Sequence, residues 1–176
     1  MVATTLLIPV LNEIQGLQAI MPKVPDIFDQ ILILDGGSTD GSLKWCRDRR
    51  FEIVQQRQLG LRLGLTEALT AVRGDIIVTF SPDGNADPSR MEALLDHMAS
   101  PSVDMCIVSR YLDWARSDDD TWLTGWGNRL FTGIINRAFH SRYTDSLGLF
   151  RAYRRWVPEG LGILRPRTAW WEAHIG

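Results

Sequence analysis

Two clusters of oxygen-bearing side chains follow directly on apolar runs. Asp83-Gly-Asn85 comes after Ile76 to Phe80, and Asp35-Gly-Gly-Ser-Thr-Asp40 comes after Ile31 to Leu34. A carboxylate beside an amide offers hard oxygen ligands, so Asp83 and Asn85 form a candidate metal or phosphate site. The second cluster combines the carboxylate of Asp35, glycines at Gly36 and Gly37 that let a ligand approach the backbone, and hydroxyls or Asp40 that can cap a helix. Those are groups that bind nucleotides. Taken singly, each cluster is equally an ordinary turn or helix start. Two of them at the ends of neighbouring strands favour one shared site.

The elements that must position these groups can be read from the pattern. Thr5 to Val10, Ile31 to Leu34, Phe51 to Gln55, Ile76 to Phe80 and Val103 to Ser109 are short apolar runs bounded by turn residues, the signature of buried strands. Between them, Ile14 to Met21, Gly41 to Arg50, Leu65 to Val72 and Pro88 to Met98 read as helices. Gly74 stands where a left-handed helix cap is expected. Asp87 and Pro88 stand where a helix N-terminus begins. Strict alternation with short connections predicts an α/β fold: a mostly parallel, Rossmann-like central sheet with helices on both faces. In such a sheet, ligands bind at the carboxyl ends of the strands, where Asp35 and Asp83 emerge. After Tyr111 the pattern changes to an acidic loop over residues 113–120. Thr121 to His140 follows as an amphipathic helix, its stripe formed by Trp122, Trp126, Leu130, Ile134, Ile135, Ala138 and Phe139.

Bulk properties narrow the class. The chain has 176 residues, 45% of them hydrophobic, enough for one buried domain. A net charge of -2 argues against a dedicated nucleic-acid partner. Only Lys23 and Lys44 are lysines; the other basic residues are arginines, whose planar fork suits bidentate contact with phosphate. The two cysteines, Cys46 and Cys106, lack CxxC spacing and fit a reduced, cytoplasmic setting. No window approaches eighteen uninterrupted apolar residues. Trp122 and Trp126 read first as core. The other reading is an in-plane helix in peripheral contact with the cytoplasmic membrane face.

Five segments in order resemble the GT-A-fold glycosyltransferases of family 2, and within them the dolichol-phosphate mannosyltransferase or polyprenyl-phosphate glycosyltransferase branch. They are Ile8-Pro-Val-Leu-Asn-Glu13, Asp35 to Gly41, Leu59-Gly-Leu-Arg-Leu-Gly64 through Asp75, Val108-Ser-Arg-Tyr111, and Thr144 to Arg154. The resemblance implies an inverting transfer of sugar from a GDP- or UDP-sugar donor to an acceptor, foremost a polyprenyl or dolichyl phosphate. It implies that Pro9, Asn12, Glu13, Asp35 and Gly36 line the donor pocket, with Asp40 as a further contact or merely the helix cap, and Arg62 on the glycine-bearing loop. Asp83 and Asn85 would hold Mg2+ or Mn2+ on the donor diphosphate, and Arg110 and Arg151 would face the diphosphate or an anionic acceptor. Ser81 departs from the family pattern. It stands where the first metal-site aspartate is usual, and lower metal affinity is expected.

The length fits one catalytic domain over residues 1–176, with a nucleotide-binding half to about residue 110 and an acceptor-side half beyond it; the last residues carry no capping or tail signal, so a chain cut short at the C-terminus is expected. A homo-oligomer is left open. A lipid phosphate acceptor is already anionic and requires no general base; a hydroxyl acceptor would require one, for which Asp145 is the candidate, equally readable as a turn residue. Two rivals remain. A nucleotidyltransferase should carry a glycine-rich phosphate loop after the first strand, where this chain has Pro-Val-Leu-Asn-Glu. A non-catalytic module binding nucleotide-sugar or a partner is made plausible by Ser81.

Overall fold

The computed structural model describes residues 2–58, 60–109, 122–139, 143–145 and 148–160. Arg110, the acidic loop and the segment after Gly160 lie outside the described residues, as do the side chains of Trp122 and Trp126.

Among the described residues six strands form one sheet: β1 (Thr4–Val10), β2 (Gln30–Asp35), β3 (Glu52–Gln55), β4 (Ile76–Thr79), β5 (Met105–Ile107) and β6 (Arg151–Arg154). Their order is β3-β2-β1-β4-β6-β5. The strands from β3 to β4 run parallel, with Val10 beside Asp35 and Leu7 beside Thr79. The helices are α1 (Ile14–Ile20), α2 (Ser42–Asp48), α3 (Leu61–Leu69), α4 (Arg90–Met98), α5 (Trp122–Phe139) and α6 (Trp156–Gly160).

Successive side chains of a strand point to opposite faces, so a strand covered on both sides must be apolar at nearly every position. On one face Leu6, Ile8, Ile33, Val78 and Phe80 pack against Leu17 of α1, Cys46 of α2 and Met91 and Leu94 of α4. On the other, Leu7, Leu32, Leu34 and Ile77 pack against Ala68 and Leu69 of α3. Helices therefore cover both faces, and the architecture is the mostly parallel, Rossmann-like arrangement expected from the pattern.

Four details differ from the sequence reading. The strand Arg151–Arg154 was not anticipated, because its charged ends hide a pairing that only long-range contact creates. It inserts antiparallel between β4 and β5, so the sheet is mixed at this edge. Helix α3 begins at Leu61, not Leu65, since Gly60 at φ 107° starts it. Gly74 is not a left-handed cap. A Cβ there would sit 2.6 Å from the Thr5 nitrogen, so the glycine lets the chain pass against β1, where its amide donates to Thr5 Oγ1 at 2.9 Å. Finally, α5 buries Asn128 and Thr132 and exposes Leu130, Phe131 and Ile134. The expected apolar stripe thus faces outward among the described side chains.

Candidate active site at the sheet's carboxyl edge

The parallel strands deliver their carboxyl ends to one edge, and the order β2-β1-β4 makes the edge beyond β1 a topological switch point, where chain connections diverge and leave a crevice. A cleft of about 270 Å³ lies there. Pro9, Leu11 and Glu13 line it from the β1 side, Gly36 from β2, Gln56 and Gly60 from the β3–α3 connection, Ser81 from β4, and Leu149 from the segment before β6.

The turns after β1 and β2 are joined by side-chain hydrogen bonds. Asn12, at φ 57°, accepts the Thr39 amide on Oδ1 at 2.8 Å, and its own amide donates to Ser38 Oγ at 3.0 Å. The Glu13 amide donates to Ser42 Oγ at 2.9 Å, and Ser42 Oγ donates to Asp40 Oδ1 at 2.6 Å. Asp40 also accepts the amide of Ile14, the first residue of α1, at 3.0 Å. One carboxylate therefore satisfies amides at the start of two helices. The Ser42 hydroxyl, followed by the Ile14 and Ser42 amides, holds the Asp40 carboxyl below its ordinary value.

Asp35 ends β2 at 1% exposure. It accepts the amides of Gly37 and Ser38, both at 3.2 Å, which shapes the glycine turn at the cleft's rim. Strand alternation places it on the Ile33 face, toward α2. There its charge adds to burial in pushing the Cys46 thiol up to about 11.

Beyond β4, Asp83, Gly84 and Asn85 form an exposed turn. The Asn85 amide donates to Asp83 Oδ1 at 2.9 Å, and Gly84 takes φ 86°. The turn lies against α1: a Cβ on Gly16 would strike the Pro82 carbonyl. Glu13 consequently feels its neighbours. Burial first, then the charges of Asp83 and Asp40, raise its carboxyl above the ordinary value.

This negative potential suits a cation. Asp83 and Asn85 offer one carboxylate and one amide oxygen, with the Ser81 hydroxyl nearby at the cleft. Among the described residues no three carboxylate, histidine or cysteine side chains gather closely enough to hold a metal on their own. The donor set fits a hard dication that draws its remaining ligands from water and a diphosphate.

The other expected residues are placed as follows. Arg62 lies exposed on the first turn of α3, outside the cleft lining. Arg151 starts β6, paired with Thr79, and its guanidinium donates to the Gly148 carbonyl, Nε at 2.8 Å. Burial lowers its value, against the raising effects of Tyr153 and Asp145, yet an arginine stays cationic. Asp145 is 2% exposed and accepts Asn128 Nδ2 at 2.9 Å and the Gly148 amide at 3.1 Å. Ser42, Gln56 and Asn128 were not singled out in the sequence. Ser42 had a signal, its position after Asp40-Gly at a helix start. Gln56 and Asn128 had none, because each acts across long sequence separations or through a loop.

A mostly parallel sheet with a cleft at its switch point defines the class as a ligand-binding α/β architecture. The sequence profile described as Glycosyl transferase family 2 matches residues 5–159, and the chain belongs to that family. An undecaprenyl-phosphate 4-deoxy-4-formamido-L-arabinose transferase from Aeromonas hydrophila subsp. hydrophila is 23% identical, covering 93% of this chain and 52% of that protein. Glycosyltransferase AglJ from Haloferax volcanii is 30% identical, covering 87% of this chain and 50% of that protein. The chain spans about half the length of these relatives. The crystal structure of glucosyl-3-phosphoglycerate synthase from Mycobacterium tuberculosis with Mn2+, uridine diphosphate and phosphoglyceric acid superposes with a TM-score of 0.71 at 18% identity, covering 88% of this chain and 56% of that one. Another structure of that enzyme, with Mn2+, UDP-glucose and phosphoglyceric acid, gives a TM-score of 0.69 at 20% identity and covers 88% and 57%.

Proposed function

We propose that the chain is the catalytic domain of an inverting glycosyltransferase that moves a sugar from a UDP- or GDP-sugar to a polyprenyl phosphate. The observation that carries the reading is the cleft itself. Glu13, Gly36 and Ser81 meet over β1, with the Asp83-Gly-Asn85 turn beside them. In this reading the glycine turn shaped by Asp35 lets the donor approach the backbone, while Pro9 and Leu34 provide apolar wall. Asp83 and Asn85 would hold Mg2+ or Mn2+, which when bound would supply positive charge against the departing diphosphate.

An acceptor phosphate carries its own negative charge and attacks without losing a proton to the protein; Arg151 then serves to position it. The burial of Asp145 among donors supports this choice over a hydroxyl acceptor, which would need a carboxylate open to substrate. Among the described residues no helix is long and apolar enough to cross a membrane. Contact with a cytoplasmic membrane face is assigned to the outer side of α5, where Leu130, Phe131 and Ile134 are each about half exposed.

Ser81 favours a second reading, a nucleotide-sugar-binding module without turnover, since a hydroxyl replaces a carboxylate beside the cation. Calorimetry with UDP and GDP, each with and without Mn2+, tests the donor site, and transfer onto undecaprenyl phosphate tests catalysis. The reading expects metal-dependent binding of one nucleotide and transfer of its sugar. Binding without transfer would select the module, and no binding of either would defeat both.

A further inference from the structure

Among the described side chains, helix α5 turns Asn128 and Thr132 inward and leaves Leu130, Phe131 and Ile134 exposed. Thr132 Oγ1 donates to Asn128 Oδ1 at 3.3 Å, and Asn128 Nδ2 donates to Asp145 Oδ1 at 2.9 Å. The same Asp145 oxygen accepts the Gly148 amide at 3.1 Å, and the Gly148 carbonyl accepts from the Arg151 guanidinium. The chain of contacts runs without a break from α5 to the arginine beside β4. Asn128 and Asp145 are 4% and 2% exposed, so breaking their pair would leave a buried carboxylate short of a donor.

Sheet pairing alone does not do this work. Pairing with Thr79 and Ile107 fixes the Arg151 main chain, whereas the direction of its guanidinium follows the Gly148 carbonyl. A guanidinium has five N–H donors; those held by Gly148 orient the planar fork and leave the others for an anion.

We infer that Asn128 is a positioning residue for Arg151, acting through Asp145 and Gly148, and that Asp145 orients this segment instead of taking a proton. The inference rests on the reading of Arg151 as the residue that meets an acceptor phosphate, but its structural part can be tested apart from it. In Asn128→Ala, the Gly148 amide should exchange with solvent about tenfold faster and the Arg151 Nε–H resonance should move. Manganese-dependent nucleotide binding should stay unchanged, because no described side chain of α5 lines the cleft. Unchanged exchange and an unmoved resonance would overturn the inference, even if the wild-type chain proves to transfer nothing to a lipid phosphate.

Where transfer is seen, kcat/KM for undecaprenyl phosphate should fall about tenfold in Asn128→Ala while donor affinity holds; an equal loss of donor affinity would count against a positioning role. Asp145→Asn keeps an oxygen for both donors, so it should retain the rate within about threefold with the same pH profile. Loss of rate by the ~10²-fold or more expected of a general base, together with loss of the limb set by its titration, would reject the assignment. If Asn128→Ala fails to fold, the paired exchange Asn128→Asp with Asp145→Asn, which reverses donor and acceptor, should restore the Arg151 resonance; its failure to do so in a folded protein would also reject it.

Discussion

On the β1–β2 side of the cleft, the groups at the strand ends stand on Leu6, Ile8, Ile33 and Val78, none more than 1% exposed. On the α5 side, Asp145 and Arg151 are held by a succession of side-chain hydrogen bonds to Asn128 and Gly148, beneath a helix that leaves Leu130 and Phe131 exposed. Burial of apolar area is strong and without direction, so the first region is rigid and tolerant of small geometric error. Hydrogen bonds are individually modest and directional, so the second region places a guanidinium closely but loses that placement when one donor goes. The β1–β2 side of the cleft is thus built as a foundation and the α5 side as a linkage.

The largest expected effect tests the foundation. Phe80 is wholly buried at the end of β4 and meets Phe150 edge to face at 5.0 Å. Phe80→Ala should cost about 3–5 kcal/mol in urea unfolding. A loss under about 1 kcal/mol would show that this edge is not core-held. Next, Asp83→Ala should lower transfer by ~10²-fold or more with an unchanged circular dichroism spectrum. The side chain is exposed and stabilises little, so full activity would remove it from the cation site.

A smaller effect is expected where hydrogen bonds cross the turns of the foundation. Ser42→Ala removes the acceptor of the Glu13 amide and one partner of Asp40, at a cost of about 1 kcal/mol. An unchanged unfolding midpoint would mean that the two turns hold their shape without it. The smallest effect is a titration. Because folding raises the Glu13 value, the carboxyl favours the native state in its neutral form. That contribution is complete below its ordinary value of 4.5 and is lost as pH rises through the raised value. Asp83→Asn should lower the Glu13 midpoint in a carboxyl carbon-13 titration yet leave it above 4.5, since burial is the leading cause. No movement would separate Glu13 from the Asp83 turn.

Much of the first region was legible because its cause is local. Apolar runs marked β1, β2 and β4, and the polar residues immediately after each run had to emerge at the same edge once the strands were parallel. The glycine turn after Asp35 and the capping of α2 by Asp40 follow from residue types at fixed short spacing, whereas the bond from the Ile14 amide to Asp40 does not. The second region resisted. The strand Arg151–Arg154 carries arginine at both ends and resembles a loop. The stripe on α5 marked a helix correctly but not which side faces inward.

What the sequence determined by itself was the set of elements on the β1–β2 side of the cleft and the chemistry at their ends, because hydrophobic periodicity and turn residues act within a few positions of one another. Only the tertiary structure decided that β6 enters antiparallel beside β4, that α5 presents the Asn128 amide to Asp145, and that Glu13 lies within reach of Asp83's charge. Those outcomes depend on pairings between residues far apart in the chain, whose energies exist only after the chain has closed on itself.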